Sequence, residues 1–194
     1  LEKQQSYIYS GPARAAATPA FVGIIDPGLP QWTRDELDRF TPRLFDFYTQ
    51  RLGKPAGARP TLLAAWGGTA FKGVSQGGSV LDGMVVMNLK GAGMVDPKPA
   101  LIAQTRWFIG HEGAHFWMGQ TVRAKRRSES WMTEGGADLM AVRALAHYDP
   151  AYDVRARLQR SIDECITVNG SKPLSGALER GEHRANYDCG AVLM

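Results

Sequence analysis

Residues 99–118 read PALIAQTRWFIGHEGAHFWM, and at this stretch the chain changes from strand-like to helix-like sequence patterns. Pro99 suits the first position of a helix, where its missing N–H leaves no bond unmade. The helical pattern runs from there to about Met118, and similar patterns cover about Trp131 to His147 and about Ala151 to Val168. These patterns predict a helical lobe over about residues 96–194.

The sequence before this stretch has the patterns of strands. Apolar or alternating runs predict three strands, at Phe21–Ile25, Thr61–Trp66 and Ser79–Leu89. Between the first two, Thr33–Glu36 has capping-box spacing and predicts the start of a helix, which Pro42 should break or kink. Strands followed by helices predict an α+β fold, in which a small, mostly antiparallel sheet in a strand-rich lobe of about residues 1–95 precedes the helical lobe.

Composition and charge limit the classes of protein to which the chain can belong. Its 194 residues suit a single domain, and 44% hydrophobic residues suffice for a buried core. The net charge of +4 owes much to Arg123–Arg127, a run without interleaved aromatic residues that predicts a solvated loop. No apolar stretch approaches the ~20 residues of a membrane span. We therefore expect neither nucleic-acid binding nor a membrane-spanning segment.

The chain has two cysteines, Cys165 and Cys189, which are too few for a disulfide framework. The one bridge that they could form assigns no compartment. The chain begins at Leu1, and Gly190–Met194 is an apolar run that resembles the first turns of a helix. We therefore expect it to be part of a longer protein, and the sequence assigns no oligomeric state.

The motif with the clearest chemistry is His111-Glu112-Gly113-Ala114-His115. On a helix the two histidines lie one turn apart on one face, where their nitrogens can bind one zinc ion at roughly 2.0–2.1 Å. Glu112 is turned about 100° from His111, so it is placed to activate a water molecule as general base rather than to bind the metal. The alternative is a pair of buried histidines with structural partners, which the motif does not favour.

A third ligand is expected because catalytic zinc usually has three protein ligands and an open position. Glu134 follows His115 after 18 intervening residues. HExxH followed by 18 residues and Glu resembles the aminopeptidase-N-like family, within the thermolysin-like clan of zinc peptidases. The resemblance implies a thermolysin-like fold, one zinc ion per chain with Glu134 as third ligand, and a peptide or protein substrate. The alternative is a carboxylate that stabilises a helix N-terminus.

A second match to that family lies at Tyr187-Asp188-Cys189-Gly190, which is similar to its Tyr-x-Lys-Gly pattern. Cys189 stands where the family usually has lysine. The resemblance implies that Tyr187 opens a helix at the zinc cleft and donates a hydrogen bond to the oxyanion of the tetrahedral intermediate. The alternative is a half-buried tyrosine that anchors a helix.

A weaker match covers Asp82–Asn88, where Gly83, Met84 and Asn88 are similar to the family's Gly-x-Met-Glu-Asn signature. The resemblance implies a substrate-binding edge strand that faces the zinc ion. The family's glutamate, which holds the free α-amino group of the substrate, is missing here. A plain core strand is the alternative.

Asp138 is the candidate for a supporting role at the metal. It lies one helical turn after Glu134, so its carboxylate can accept the other ring N–H of a ligand histidine, as metal sites usually require. A solvated aspartate is the alternative.

These motifs together predict a zinc-dependent peptidase of the aminopeptidase type. Because the amine-binding glutamate is missing, an endopeptidase or another amide hydrolase on the same scaffold remains an alternative. A non-catalytic domain that retains zinc for structure is the second alternative, and Glu112 argues against it because a structural site has no use for a general base.

Overall fold

The computed structural model describes residues 8–57 and 59–194, and in that part it contains five strands and five α-helices. The prediction of an α+β fold is confirmed. All of the strands precede residue 95, and four of the five helices follow it. In chain order the elements are β1 (Ala15–Ala17), β2 (Val22–Ile25), α1 (Gln31–Leu52), β3 (Thr61–Trp66), β4 (Ser75–Leu81), β5 (Met84–Lys90), α2 (Pro99–Ala114), α3 (Ser130–Tyr148), α4 (Val154–Asn169) and α5 (His183–Leu193).

The sheet is mixed, so the prediction of a mostly antiparallel sheet is wrong. The strand order is β1-β2-β3-β5-β4, and β3 pairs in parallel with both β2 and β5. Only the outer pairs, β1 with β2 and β4 with β5, are antiparallel. The physical reason is the connection between strands, since α1 is a helical crossover that returns the chain to the same end of the sheet.

The strand predicted at Ser79–Leu89 is in fact the turn and parts of both arms of a hairpin. Strand β4 ends at Leu81, opposite Met84 of β5, and Asp82 and Gly83 form the two-residue turn between them. Gly83 has φ of +70°, which an L side chain rarely adopts. Asp-Gly between alternating residues is a hairpin signal that the single-strand interpretation overlooked.

Helix α1 begins at Gln31, directly after Pro30, so the start predicted at Thr33 is wrong by two residues. The helix also continues past Pro42, although a proline removes one hydrogen bond of the helical ladder. The buried side chains that α1 presents to the core include Leu44, Phe45 and Tyr48. Burial of each of these side chains stabilises the folded chain by roughly 1.5–3 kcal/mol, which offsets the free-energy cost of the proline in the helix.

Helix α2 begins at Pro99 as predicted but ends at Ala114, four residues before the predicted end at Met118. Its last turn tightens, since the N–H of His115 bonds to the carbonyl of Glu112, and Gly119 reverses the chain with φ of +112°. Most of α2 is buried because it packs against α1, α3 and the sheet. This position makes α2 the central helix of the molecule.

Helices α3 and α5 approach each other closely through two glycines. A methyl group on Gly135 would lie 2.1 Å from the backbone carbon of Gly190, and one on Gly190 would lie 2.3 Å from the carbonyl oxygen of Trp131. The predicted helices at 131–147 and 151–168 are confirmed as α3 and α4. Residues 190–193 form the last turn of α5 and not the first turns of a helix.

A disulfide bond between Cys165 and Cys189 joins α4 to α5, so the optional bridge is present. The bond closes a loop with a sequence separation of 24 and so reduces the conformational freedom of the unfolded chain. In the described parts of the chain, no helix combines the length and the apolar character that crossing a bilayer requires.

Candidate metal centre

Helix α2 brings both histidines of the HExxH motif to one buried point. His111 lies in the last turn of α2, and His115 follows directly after the helix with backbone angles that still belong to it (φ −64°, ψ −17°). The two Nε2 atoms are 3.1 Å apart. The one-turn spacing predicted from the sequence is therefore present in the structure.

The other nitrogen of each ring is bound to the protein. His111 Nδ1 lies 2.7 Å from Asp138 Oδ1, and His115 Nδ1 lies 2.9 Å from the carbonyl oxygen of Met118. A carboxylate and a carbonyl can only accept, so each Nδ1 carries a proton, and a ring in its neutral form presents a lone pair at Nε2. Two neutral rings with their Nε2 atoms 3.1 Å apart repel each other, so the site favours a proton or a metal ion at this point.

The pKa of His111 also indicates that this site favours a positive charge. Burial lowers the pKa of His111, but hydrogen bonds to Asp138 and Glu134 outweigh it and raise the pKa to about 10. A buried imidazole at this position therefore attracts a proton strongly when no other cation is bound. A divalent metal ion would supply this positive charge in place of the proton, and its charge is larger.

Glu134 enters the site from the first turn of α3 and completes a triangle of ligand atoms. Its Oε2 lies 3.4 Å from His111 Nε2 and 3.5 Å from His115 Nε2. A tetrahedral zinc ion with ligands at about 2.0–2.2 Å holds the ligand atoms about 3.3–3.6 Å apart. The edges of 3.4 and 3.5 Å fall in that range and the edge of 3.1 Å between the two histidines is slightly shorter, and these three residues are the group able to hold a metal ion among the described residues.

The carboxylate of Glu134 is ionised in this arrangement. Burial alone raises its pKa, but hydrogen bonds to His111 and His115 and the charge of both rings hold the pKa well below its ordinary value. The site therefore offers two nitrogen atoms and one anionic oxygen atom, a donor set that zinc commonly has in hydrolytic enzymes.

Glu112 stands beside the triangle and not in it. Its carboxylate lies against strand β4, where a methyl group on Gly78 would be only 1.9 Å from the carboxyl carbon. Burial raises the pKa of Glu112, although the two neighbouring histidines oppose this. Only glycine at position 78 leaves room for this carboxylate, and the sequence interpretation overlooked that residue.

Tyr187 lies in the second turn of α5, so the prediction that it opens a helix is wrong by one turn. Its ring centroid is 5.6 Å from that of His111, and its hydroxyl interacts with Glu134. Burial and then the charges of Glu134 and Glu112 raise its pKa well above the ordinary value. The phenol therefore keeps its proton beside the ligand triangle and can donate it to a hydrogen bond.

Asp138 is buried and connects the metal centre to helix α4. Its Oδ2 lies 3.4 Å from Arg157, and Arg157 also lies 3.9 Å from Asp188 of α5. Ser161 donates to Asp188 at 3.2 Å. Sequence reasoning placed Asp138 near a ligand histidine but did not find Arg157, because a residue on another helix leaves no local sequence signal.

The residues predicted to bind substrate, Gly83, Met84 and Asn88, are not on a sheet edge. Gly83 lies in the hairpin turn, and β5 is hydrogen-bonded to β3 on one side and to β4 on the other. The prediction of an exposed edge at Asp82–Asn88 is therefore wrong. The physical reason is the hairpin, which places β4 at the edge of the sheet and β5 inside it.

Strand β4 is the edge strand that adjoins the metal centre. The side chain of Gln76 donates to Thr105 of α2 at 2.7 Å, and Gly78 contacts Glu112 in the last turn of the same helix. The strand therefore runs alongside α2 and passes the general-base candidate at its midpoint. In an antiparallel pair, alternate residues of an edge strand direct their backbone groups away from the partner.

No family model matches the chain, and no curated protein matches it. The functional interpretation therefore depends on the geometry of this site.

Proposed function

We propose that this chain is a zinc-dependent peptidase in which His111, His115 and Glu134 bind the metal ion. The observation that carries the proposal is the ligand triangle, in which both Nε2 atoms and one carboxylate oxygen converge at 3.1–3.5 Å, close to the spacing of ligand atoms around a tetrahedral zinc ion. A second buried carboxylate, Glu112, lies beside the triangle without belonging to it. This division between ligands and base is what hydrolysis requires.

The roles of the residues follow from their positions. Zinc bound in the site would supply Lewis acidity, which polarises a water molecule and the carbonyl of the scissile bond. Glu112 takes a proton from the attacking water and passes it to the leaving amine, and its raised pKa brings it closer to the pH at which it works. Tyr187 donates a hydrogen bond to the carbonyl oxygen as negative charge develops there.

Substrate would bind along the side of β4 that faces away from β5. An extended peptide can add to an edge strand through main-chain hydrogen bonds, and Gly78 allows its backbone to approach Glu112 closely. The edge strand beside the HExxH helix and the acidic ligand on the next helix support a thermolysin-like arrangement.

An endopeptidase is the second candidate, and one observation favours it over an aminopeptidase. The carboxylate nearest to the end of β4, Asp82, is paired with Arg123 at 2.7 Å and is not available to an α-amino group. Comparing the rates for an N-acetylated peptide and its free counterpart separates the two candidates. Faster cleavage of the free peptide would favour the aminopeptidase.

The experiment that tests the proposal is the substitution Glu112→Gln in the zinc-loaded protein. We expect zinc content to be unchanged, because Glu112 is not a ligand, and peptide hydrolysis to fall by about 100-fold or more, because an amide cannot accept the proton. Elemental analysis and a peptide-cleavage assay measure the two effects. If Glu112→Gln lost zinc together with activity, the assignment of Glu112 as general base rather than ligand would be wrong. If the unsubstituted protein bound zinc but did not hydrolyse peptides, the non-catalytic alternative would be favoured.

A further inference from the structure

The basic run Arg123–Arg127 is an exposed loop, as predicted, and its side chains line one side of a cavity. The cavity has a volume of about 460 Å³ and is bounded on its other side by the end of β4, at Val80 and Leu81. The carboxylate of Glu129 holds the loop in place, since it accepts the backbone N–H groups of Lys125 and Arg126 at 2.9 and 3.1 Å. The basic side chains are therefore presented by an anchored backbone.

The cavity carries a strong excess of positive charge. Its charged lining residues are four cations and one carboxylate, so its net charge is +3, against +4 for the whole chain. Asp82 neutralises Arg123, while the other three cations have no ion pair within residues 8–57 and 59–194. The four cations are Arg123, Lys125, Arg126 and Arg127.

Arg127 connects this cavity to the metal centre. Arg127 and Ser130 also line a second cavity of about 240 Å³, together with Glu134 and Tyr187. The hydroxyl of Ser130 is buried and has no hydrogen-bond partner among the described residues. A peptide that lies on β4 with its scissile bond at the metal centre would therefore meet Arg127 as it continues past Leu81.

We propose that the basic cavity binds a carboxylate of the peptide substrate and that Arg127 is the residue that determines this specificity. The inference rests on the proposed peptidase function. A guanidinium matches a carboxylate through two parallel hydrogen bonds, and the unpaired cations around it repel a positively charged group such as a free α-amine. The carboxylate belongs to an acidic side chain or to the C-terminus of a peptide.

The test measures binding to the zinc-loaded Glu112→Gln protein, in which the peptide is not consumed. Three fluorescent peptides of one sequence are compared by anisotropy: one with an internal Glu and an amidated C-terminus, one with Gln in place of Glu, and one with Gln and a free C-terminal carboxylate. The peptide with Glu should bind about fivefold more tightly than its Gln counterpart at low salt, and the difference should shrink as salt is raised.

Arg127→Ala, added to the same background, should reduce the difference between the Glu and Gln peptides to less than about twofold. Arg155→Ala is the matched control, because Arg155 is an exposed arginine on α4 that lines neither cavity. It should leave the difference unchanged. If only the peptide with a free C-terminal carboxylate bound more tightly than the amidated Gln peptide, the cavity would bind the C-terminus of the substrate. That result would also support the proposal.

Equal binding of all three peptides would overturn the proposal. Hydrolysis of the Gln peptide by the unsubstituted protein would then show that the peptidase function still stands. If the protein neither binds nor cleaves any of the peptides, the proposed function and the inference are both wrong.

Discussion

Each histidine of the candidate metal centre has one ring nitrogen bound to the protein and the other directed at the Glu134 carboxylate and the second histidine. His111 is oriented by a buried carboxylate, Asp138, which Arg157 contacts in turn at 3.4 Å. His115 is oriented by a single backbone carbonyl, that of Met118. A charged acceptor makes the imidazole a stronger donor to metal than a neutral carbonyl does, so we expect His111 to be the stronger nitrogen ligand.

Glu134→Gln should weaken zinc binding by at least about 100-fold, because even partners outside the ligand set contribute about 10–100-fold to affinity. The amide keeps the shape of the side chain but loses the charge that faces both Nε2 atoms. A competition titration with a zinc chelator measures the affinity. Glu164→Gln on α4, an exposed position, is the control and should bind zinc normally. Unchanged affinity in Glu134→Gln would remove Glu134 from the ligand set.

Tyr187→Phe should lower kcat by roughly 10²–10³, with zinc affinity and KM little changed. The phenol holds its proton beside the ligand triangle, so the substitution removes a hydrogen bond that matters mainly when charge develops on the substrate. Steady-state kinetics measure the effect. Tyr148→Phe, which removes a hydroxyl bonded to the carbonyl of Arg43, is the control. Full activity in Tyr187→Phe would make its match to the peptidase motif a coincidence.

At the scale of elements, two close contacts that only glycine permits bring the site together. Gly78 brings β4 against the side chain of Glu112, and the pair Gly135 and Gly190 brings α5 against α3. The second contact places Tyr187 beside Glu134, because each of these residues lies within a turn of its glycine. Gly135, directly after Glu134, thus serves the packing of α3 against α5.

Gly78→Ala should reduce hydrolysis by about 100-fold, since displacing a catalytic group by ~1 Å has an effect of this size. The new methyl group would overlap the carboxylate of Glu112, which is the mobile end of a side chain, so the protein should fold and bind zinc. Gly77→Ala is the matched control, because a methyl group there meets no atom within 4 Å. Peptide-cleavage rates and zinc content decide the outcome, and equal activity of the two variants would contradict it.

At the scale of the whole molecule, helices α4 and α5 pack against each other and against α3, which carries Glu134 and Asp138. The disulfide between Cys165 and Cys189 ties them together two residues from Tyr187. Arg157 of α4 links Asp138 and Asp188 and so connects three helices through buried charges. The position of the Tyr187 phenol therefore depends on residues from much of the second half of the chain.

Replacing both cysteines by serine should lower the free energy of unfolding by about 3 kcal/mol, the effect expected when the unfolded chain regains a loop of this length. For a chain of this size that corresponds to a fall in Tm of about 6–12 °C. Calorimetry of the variant measures it, and the unsubstituted protein in reducing agent should show the same fall. A Tm that does not change under either treatment would show that the bond contributes nothing to stability.

Local patterns in the sequence predicted the helices that form through interactions between residues close in sequence. Helices α2, α3 and α4 follow from apolar periodicity, and the placement of His111 and His115 on one side of α2 follows from the pitch of a helix. The position of Glu134 beside the histidines was predicted from the resemblance to the aminopeptidase-N-like family, and its carboxylate lies within 3.5 Å of both Nε2 atoms. Such features depend on residues close in sequence or on a motif with fixed separation.

Only the tertiary structure decided which strand is the edge, which residue faces Glu112 and where the basic run lies. The hairpin turn at Asp82 and Gly83 places β4, and not β5, at the edge of the sheet. Local sequence patterns did not predict this order, because strand order depends on pairing between distant residues. Arg157 of α4 contacts Asp138 of α3, and Arg127 lines the same cavity as Tyr187 of α5. These contacts form because the buried faces of the elements pack together, and a contact between distant segments has no local sequence signature.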